Sequence, residues 1–154
     1  VLHLTLIKSA VDPDPEADRG HHTFTYSLLP HGGGWRSGEV VPEGYALNNP
    51  LRVAPVAGAQ GGNLPAAYSQ ARVDAEHVIV ETIKQAEDGD GWIVRVYESR
   101  QYRSTAVRLT FGRPLRRAVE CNLVEEGAEP VAWEGDTLTF PIAPFEIKTF
   151  RVWF

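Results

Sequence analysis

Asp12, Asp14, Glu16, Asp18, Arg19, His21, His22 and His31 all lie within the stretch DPDPEADRGHHTFTYSLLPH. Carboxylates and imidazoles at this density could hold a metal ion or move protons. A metal site needs three or four converging ligands. Neighbours on a strand point to opposite faces, so His21 and His22 do not readily share one ion. We read them as strand-edge histidines and His31 as a turn residue. The acids could suggest calcium, but a helix–loop–helix calcium loop needs glycine at its sixth position and glutamate at its twelfth. No glycine stands at the sixth place counted from Asp12, so a solvated acidic loop is the reading preferred here.

The other reactive residue types are as weakly organised. HGGG at His31–Gly34 has the composition of an oxyanion loop, but that chemistry requires a G-x-S-x-G elbow. In GWRSG (Gly34–Gly38) the serine comes one place late, so a glycine turn suffices. Cys121 sits among Val119, Leu123 and Val124, with no base assigned to activate it, as a structural thiol would. Glycosidase acids must lie about 5–10 Å apart across a sugar, and linear spacing does not select such a pair here. Trp35, Trp92, Trp133 and Trp153 could form a sugar-stacking platform, although aromatics more often fill a sandwich core.

These residues depend on the elements that carry them. Val1–Lys8 reads as a strand, and Asp12–Gly20 as an exposed loop stiffened by Pro13 and Pro15. His22–Pro30 places Phe24, Tyr26 and Leu28 at period two, opposite Thr23, Thr25 and Ser27, which predicts a half-buried strand. Trp35–Leu47 has no such period, and Gly38, Pro42 and Gly44 restrict it to a short helix or turn. Asn48–Ala57 ends in an apolar run that predicts another strand. Ala57–Gln70, with Gly58, Gly61, Gly62 and Pro65, is the best linker candidate. Beyond it the alternation is regular. Val73–Gln85, Trp92–Ser99, Thr105–Phe111, Arg117–Glu125, Thr137–Ile142 and Phe145–Phe154 read as strands. The Glu87–Gly91 run EDGDG marks a hairpin. The expectation is an all-β chain of antiparallel sandwich type. Residues 1–70 form an incomplete β unit, and residues 71–154 a small sandwich.

Composition narrows the partners. The chain of 154 residues carries a net charge of -5 and no dense basic run, which argues against nucleic acid. No apolar stretch approaches the roughly 20 residues of a spanning helix, so no membrane partner is expected. Cys121 is the only cysteine, which rules out an internal disulfide framework. That suits a reducing compartment, and we expect a cytoplasmic protein. The chain has no methionine and opens directly on the strand-like VLHLTLIK, as a fragment or processed chain would.

Leu4–His31 resembles the C-terminal region of the α-mannosidases of glycoside hydrolase family 38. The resemblance lies in Lys8-Ser9, Asp12–Pro15, Asp18-Arg19-Gly20-x-His22, Phe24-x-Tyr26 and Pro30-His31. Tyr45–Val53 (YALNNPLRV), Ile83–Glu98 (IKQAEDGDGWIVRVYE) and Pro144–Val152 (PFEIKTFRV) are similar to that family in the same order. The resemblance implies the end of a large β-sandwich over residues 1–70 and a smaller immunoglobulin-like sandwich over residues 71–154. It implies a parent enzyme whose β/α barrel binds zinc or another divalent metal and hydrolyses α-mannosides with retention, through one nucleophilic and one acid/base carboxylate. A helical bundle links barrel and β domains in that family. No position here matches the family's metal ligands or catalytic acids. The resemblance therefore implies no catalytic residue, no cofactor and no activity in this fragment alone.

What the resemblance leaves to this chain is a bracing role against the barrel and bundle, and a share in the substrate cleft. In some members an arginine from the C-terminal β region reaches towards the sugar. Arg19, with Asp18 and His22, is the candidate, and Gly20 permits the tight turn. The competing reading is that these residues only tie their loop together. Two other functions stay open: an independent carbohydrate-binding module, and an oligomerisation domain. An unpaired edge at VLHLTLIK would favour pairing between copies as a homo-oligomer.

Overall fold

The computed structural model describes residues 1, 3–58 and 61–154. The described residues form two compact units, Val1–Val53 and Ala54–Phe154.

The second unit holds nine strands: β1 (Ala71–Val73), β2 (Val78–Gln85), β3 (Trp92–Glu98), β4 (Ser104–Phe111), β5 (Arg117–Cys121), β6 (Glu129–Pro130), β7 (Ala132–Glu134), β8 (Thr137–Ile142) and β9 (Ile147–Trp153). They make two antiparallel sheets, ordered β1-β4-β8-β7 and β2-β3-β9-β5-β6. The chain is thus an all-β antiparallel sandwich over this unit. All six strands expected beyond residue 70 are present. The short β6 and β7 went unforeseen because Glu129–Glu134 carries too few residues for a period to show.

Alternation explains the core. Val94 and Val96 from β3 and Phe150 and Val152 from β9 face Val107, Leu109 and Phe111 from β4 and Leu138, Phe140 and Ile142 from β8. Phe140 and Phe150 meet at the centre with ring centroids 4.7 Å apart. Each such side chain, fully withdrawn from water, contributes about 1.5–3 kcal/mol. The β2–β3 hairpin closes through EDGDG, with Gly89 at φ 81° and Gly91 at φ 88°. At Gly91 a Cβ would also stand 2.9 Å from Trp153 Nε1, so glycine is required there twice over.

The faces of β2 depart from strict alternation. Strict alternation puts Ile83 opposite Val78 and Val80. A bulge between Val80 and Thr82 leaves Glu81 without a partner on β3. Side-chain direction therefore inverts after Glu81, and Val78, Val80 and Ile83 all pack on the same core. A charged residue that the core rejects becomes the extra residue, and the apolar set stays inside.

The first unit differs. Among its described residues the only regular element is α1 (Val40–Asn48), which answers the expected short helix. Pro42 lies in its first turn, where a missing N–H costs little. The Asn49 amide donates to the Tyr45 carbonyl at 2.8 Å, and Pro50 then stops propagation. None of its residues is buried. The strands expected at Val1–Lys8, His22–Pro30 and Asn48–Ala57 are not formed among the described residues. Phe24, Tyr26 and Leu28 are 45%, 69% and 79% exposed. A strand exists only through a neighbour's ladder, and no neighbour pairs with these segments here. Leu2, in the first expected strand, and Ala59 and Gln60, in the expected linker, lie outside the described residues.

Candidate functional site

The opening acidic stretch folds as successive turns. The Glu16 amide donates to Asp14 Oδ1 at 2.9 Å, and the Ala17 and Arg19 amides donate to the carbonyls of Asp14 and Glu16 at 3.3 and 3.0 Å. Prolines at 13 and 15 limit the backbone to such turns. The Arg19 guanidinium pairs with Glu16, not with Asp18, and its side chain stays 73% exposed. His22 Nε2 donates to the Asp18 backbone carbonyl at 2.9 Å and its ring stacks on Phe24, centroids 6.0 Å apart. Asp18 and His22 are therefore brought together through backbone, while Arg19 points to another residue. Gly20 takes φ 132°, the turn that lets the chain leave this knot.

Ser37 Oγ donates to the Gly34 carbonyl at 3.1 Å, which makes it a turn hydroxyl. Burial pushes the Cys121 thiol above its usual range, and nearby Glu125 adds to this, so the thiolate a nucleophile needs is disfavoured. Among the described residues no three His, Cys, Asp or Glu side chains cluster as a metal would require. An open hollow of about 480 Å³ is lined by Arg103, Ser104, Ile142, Glu146 and Lys148. Lys148 is already paired there, to Glu120 at 2.6 Å and Glu146 at 3.5 Å.

A residue outside the acidic stretch proves to be a heavily bonded acid of the sandwich. Glu98, at the end of β3, is 1% exposed. Its Oε1 accepts the amides of Arg100 at 2.7 Å and Tyr102 at 3.0 Å. Its Oε2 accepts those of Gln101 at 2.9 Å and Phe145 at 2.8 Å. Burial by itself raises the carboxyl's pKa, but the amides together outweigh it and hold the group below the ordinary glutamate range. The sequence did contain a signal: Glu98 continues the inward series Val94, Val96. An acid at a core position must bring its partners with it.

Family and relatives fit this architecture. Residues 77–150 match the model of the glycosyl hydrolases family 38 C-terminal beta sandwich domain. Across 97% of its length the chain is 38% identical to Alpha-mannosidase G of Dictyostelium discoideum. It is 30% identical to human Alpha-mannosidase 2C1 over 96% of its length, and 32% identical to the mouse protein over 97%. It spans 14% of the length of each of these relatives. The matched region contains β2 to β8 and most of β9, that is, nearly the whole of the two-sheet core described above. The chain therefore carries, over residues 77–150, the C-terminal β-sandwich domain of glycosyl hydrolases family 38.

Proposed function

We propose that this chain is the C-terminal β region of an α-mannosidase, a retaining and metal-dependent hydrolase of α-mannosides. The observation that carries the reading is the likeness to named α-mannosidases along nearly the whole chain, joined to the family match of the sandwich. In this reading residues 71–154 form a small immunoglobulin-like sandwich and residues 1–70 contribute the last strands of a larger one. The unformed strands of the first unit support it. Phe24, Tyr26 and Leu28 make an apolar face that a packed second sheet would cover. The parent's barrel holds the zinc or other divalent ion and both catalytic carboxylates. This chain braces the barrel, has no activity alone and works in the cytoplasm.

The Asp12–His22 loop is assigned to the rim of the substrate cleft. Its turns keep the Arg19 guanidinium 73% exposed and paired with Glu16, a partner that an exposed guanidinium can exchange for a sugar hydroxyl or a barrel carboxylate.

An assay with an aryl α-mannoside and added zinc, run on this chain and on the full polypeptide, tests the main reading. Activity is expected only in the full polypeptide. Turnover by the 154-residue chain would place catalytic groups within it and overturn the assignment. For the loop, Arg19→Ala in the full polypeptide should lower kcat/KM by about ten-fold or more, the loss of one charge-assisted bond. An unchanged kcat/KM in folded enzyme leaves Arg19 as a loop tie only.

A further inference from the structure

Glu98 joins two loops that are distant in sequence. By accepting the amides of Gln101 and Tyr102 and that of Phe145, it fixes the β3–β4 tip to the β8–β9 tip. Each tip contains a non-glycine residue in the left-handed region, Gln101 at φ 65° and Phe145 at φ 58°. A bulky side chain adopts that backbone only where its surroundings over-determine it. What the strained backbone presents is aromatic. Tyr102 is 51% exposed and Phe145 56% exposed. Neither ring belongs to the core cluster, so folding of the sandwich does not account for them.

The Tyr102 ring is also held in place, and the Phe145 backbone is tied through its amide to Glu98. Tyr102 sits edge-on to His77 with centroids 5.6 Å apart, and His77 Nε2 lies 2.9 Å from Ser104 Oγ. The pair Arg100–Glu76, at 3.6 Å, gives the tip a polar flank. An exposed aromatic held in place, with a second beside a tied backbone and a charged flank, has the anatomy of an interface hot spot.

We propose that the Tyr102–Phe145 tip is the surface by which the sandwich docks onto an apolar patch in the remainder of its own polypeptide. This rests on the reading of the chain as one region of a larger α-mannosidase. The area selects the occupant. Two half-exposed aromatic rings offer about 200 Å², far less than the roughly 1,200 Å² that a stable complex of free proteins buries in total. A tethered contact does not face that threshold, because the effective concentration of its partner is high. The relatives, of which this chain spans 14%, have polypeptide in ample length to supply the facing patch.

Hydroxyl-radical footprinting of the 154-residue chain and of the full polypeptide tests the proposal. Labelling of Tyr102 and Phe145 should be about ten-fold slower in the full polypeptide, as for a buried hot spot. A second variant guards against misreading. Phe145→Asn keeps the amide to Glu98 and tolerates positive φ. It should leave the melting temperature of the 154-residue chain unchanged or raised, and should speed thermal inactivation of the full polypeptide. Equal labelling of the two proteins overturns the proposal. So does protection in the 154-residue chain that grows with its concentration, which would mean a second copy, or that appears with methyl α-mannoside, which would mean a sugar site. A protected tip in a full polypeptide without mannosidase activity would uphold the docking and sink the catalytic reading. An active enzyme with an unprotected tip would do the reverse.

Discussion

Phe24, Tyr26 and Leu28 in the first unit and Val107, Leu109 and Phe111 in the second follow the same rule of alternation. The first three are 45%, 69% and 79% exposed; the second three are 0%, 0% and 4% exposed. Their sequences predict strands equally well. The difference is that β4 lies between β1 and β8, in register with both, whereas His22–Pro30 has no ladder partner among the described residues. Alternation specifies which face a strand would bury. It does not supply the neighbour that turns an extended segment into a strand. The apolar face of the first unit is thus an unmet demand, and that of the second a satisfied one.

The sharpest way to test this contrast is to remove a satisfied side chain. Phe140→Ala should cost the sandwich about 3–5 kcal/mol, since it loses both transfer free energy and the packing against Phe150. Urea denaturation followed by tryptophan fluorescence would show it. A cost under about 1 kcal/mol would mean that the core collapses into the gap, so that the second unit is less tightly packed than described.

Next in size is Glu98→Ala, which leaves the amides of Arg100, Gln101, Tyr102 and Phe145 without their acceptor. A loss of about 3 kcal/mol is expected, with Glu98→Gln recovering part of it because one side-chain oxygen still accepts. Equal losses for the two variants would show that charge, and not acceptor geometry, holds the tips together.

Acid should act on the same unit. Glu98, Glu125 and Asp88 all titrate below their ordinary values, Glu98 through backbone amides that outweigh its burial, Glu125 chiefly through Lys84 and Asp88 chiefly through Arg151. A lowered folded pKa means that the unfolded chain takes up protons first as pH falls. The stabilisation is complete above the unfolded values of 4.5 for glutamate and 3.8 for aspartate, and is lost as pH drops through the folded ones. The urea midpoint of the sandwich should therefore hold steady from about pH 7 to pH 5 and decline below about pH 4.5. A midpoint that rises in acid would reverse the sign assigned to these groups.

The smallest effect belongs to the first unit. Tyr26→Ser in the 154-residue chain should change stability by less than about 0.5 kcal/mol, as for an exposed position. In the full polypeptide the same change should cost several-fold more, because there the apolar face is expected to be covered. Equal, negligible costs in both settings would remove the distinction between an unmet and an absent demand.

At the candidate site, legibility depended on the kind of interaction. Turn chemistry at Asp12–Gly20 was readable, since proline and Asx geometry act within a few residues. The partner of Arg19 was not: Asp18 stands next to it, yet a turn directs the guanidinium to Glu16. Adjacency in sequence is a poor guide to contact when the backbone reverses direction.

By itself, the sequence determined the all-β class, the hairpin at Glu87–Gly91, the limits of β8 and the inward faces of β3 and β4. These depend on period-two alternation and on glycine's access to positive φ, which are properties of a few consecutive residues. Only the tertiary structure decided that Glu81 bulges, that Ile83 turns inward after it, and that Glu98 accepts an amide 47 residues away, from Phe145. Those outcomes require a second sheet and a distant loop to be in place. A charge is expelled or buried according to what the rest of the fold sets against it.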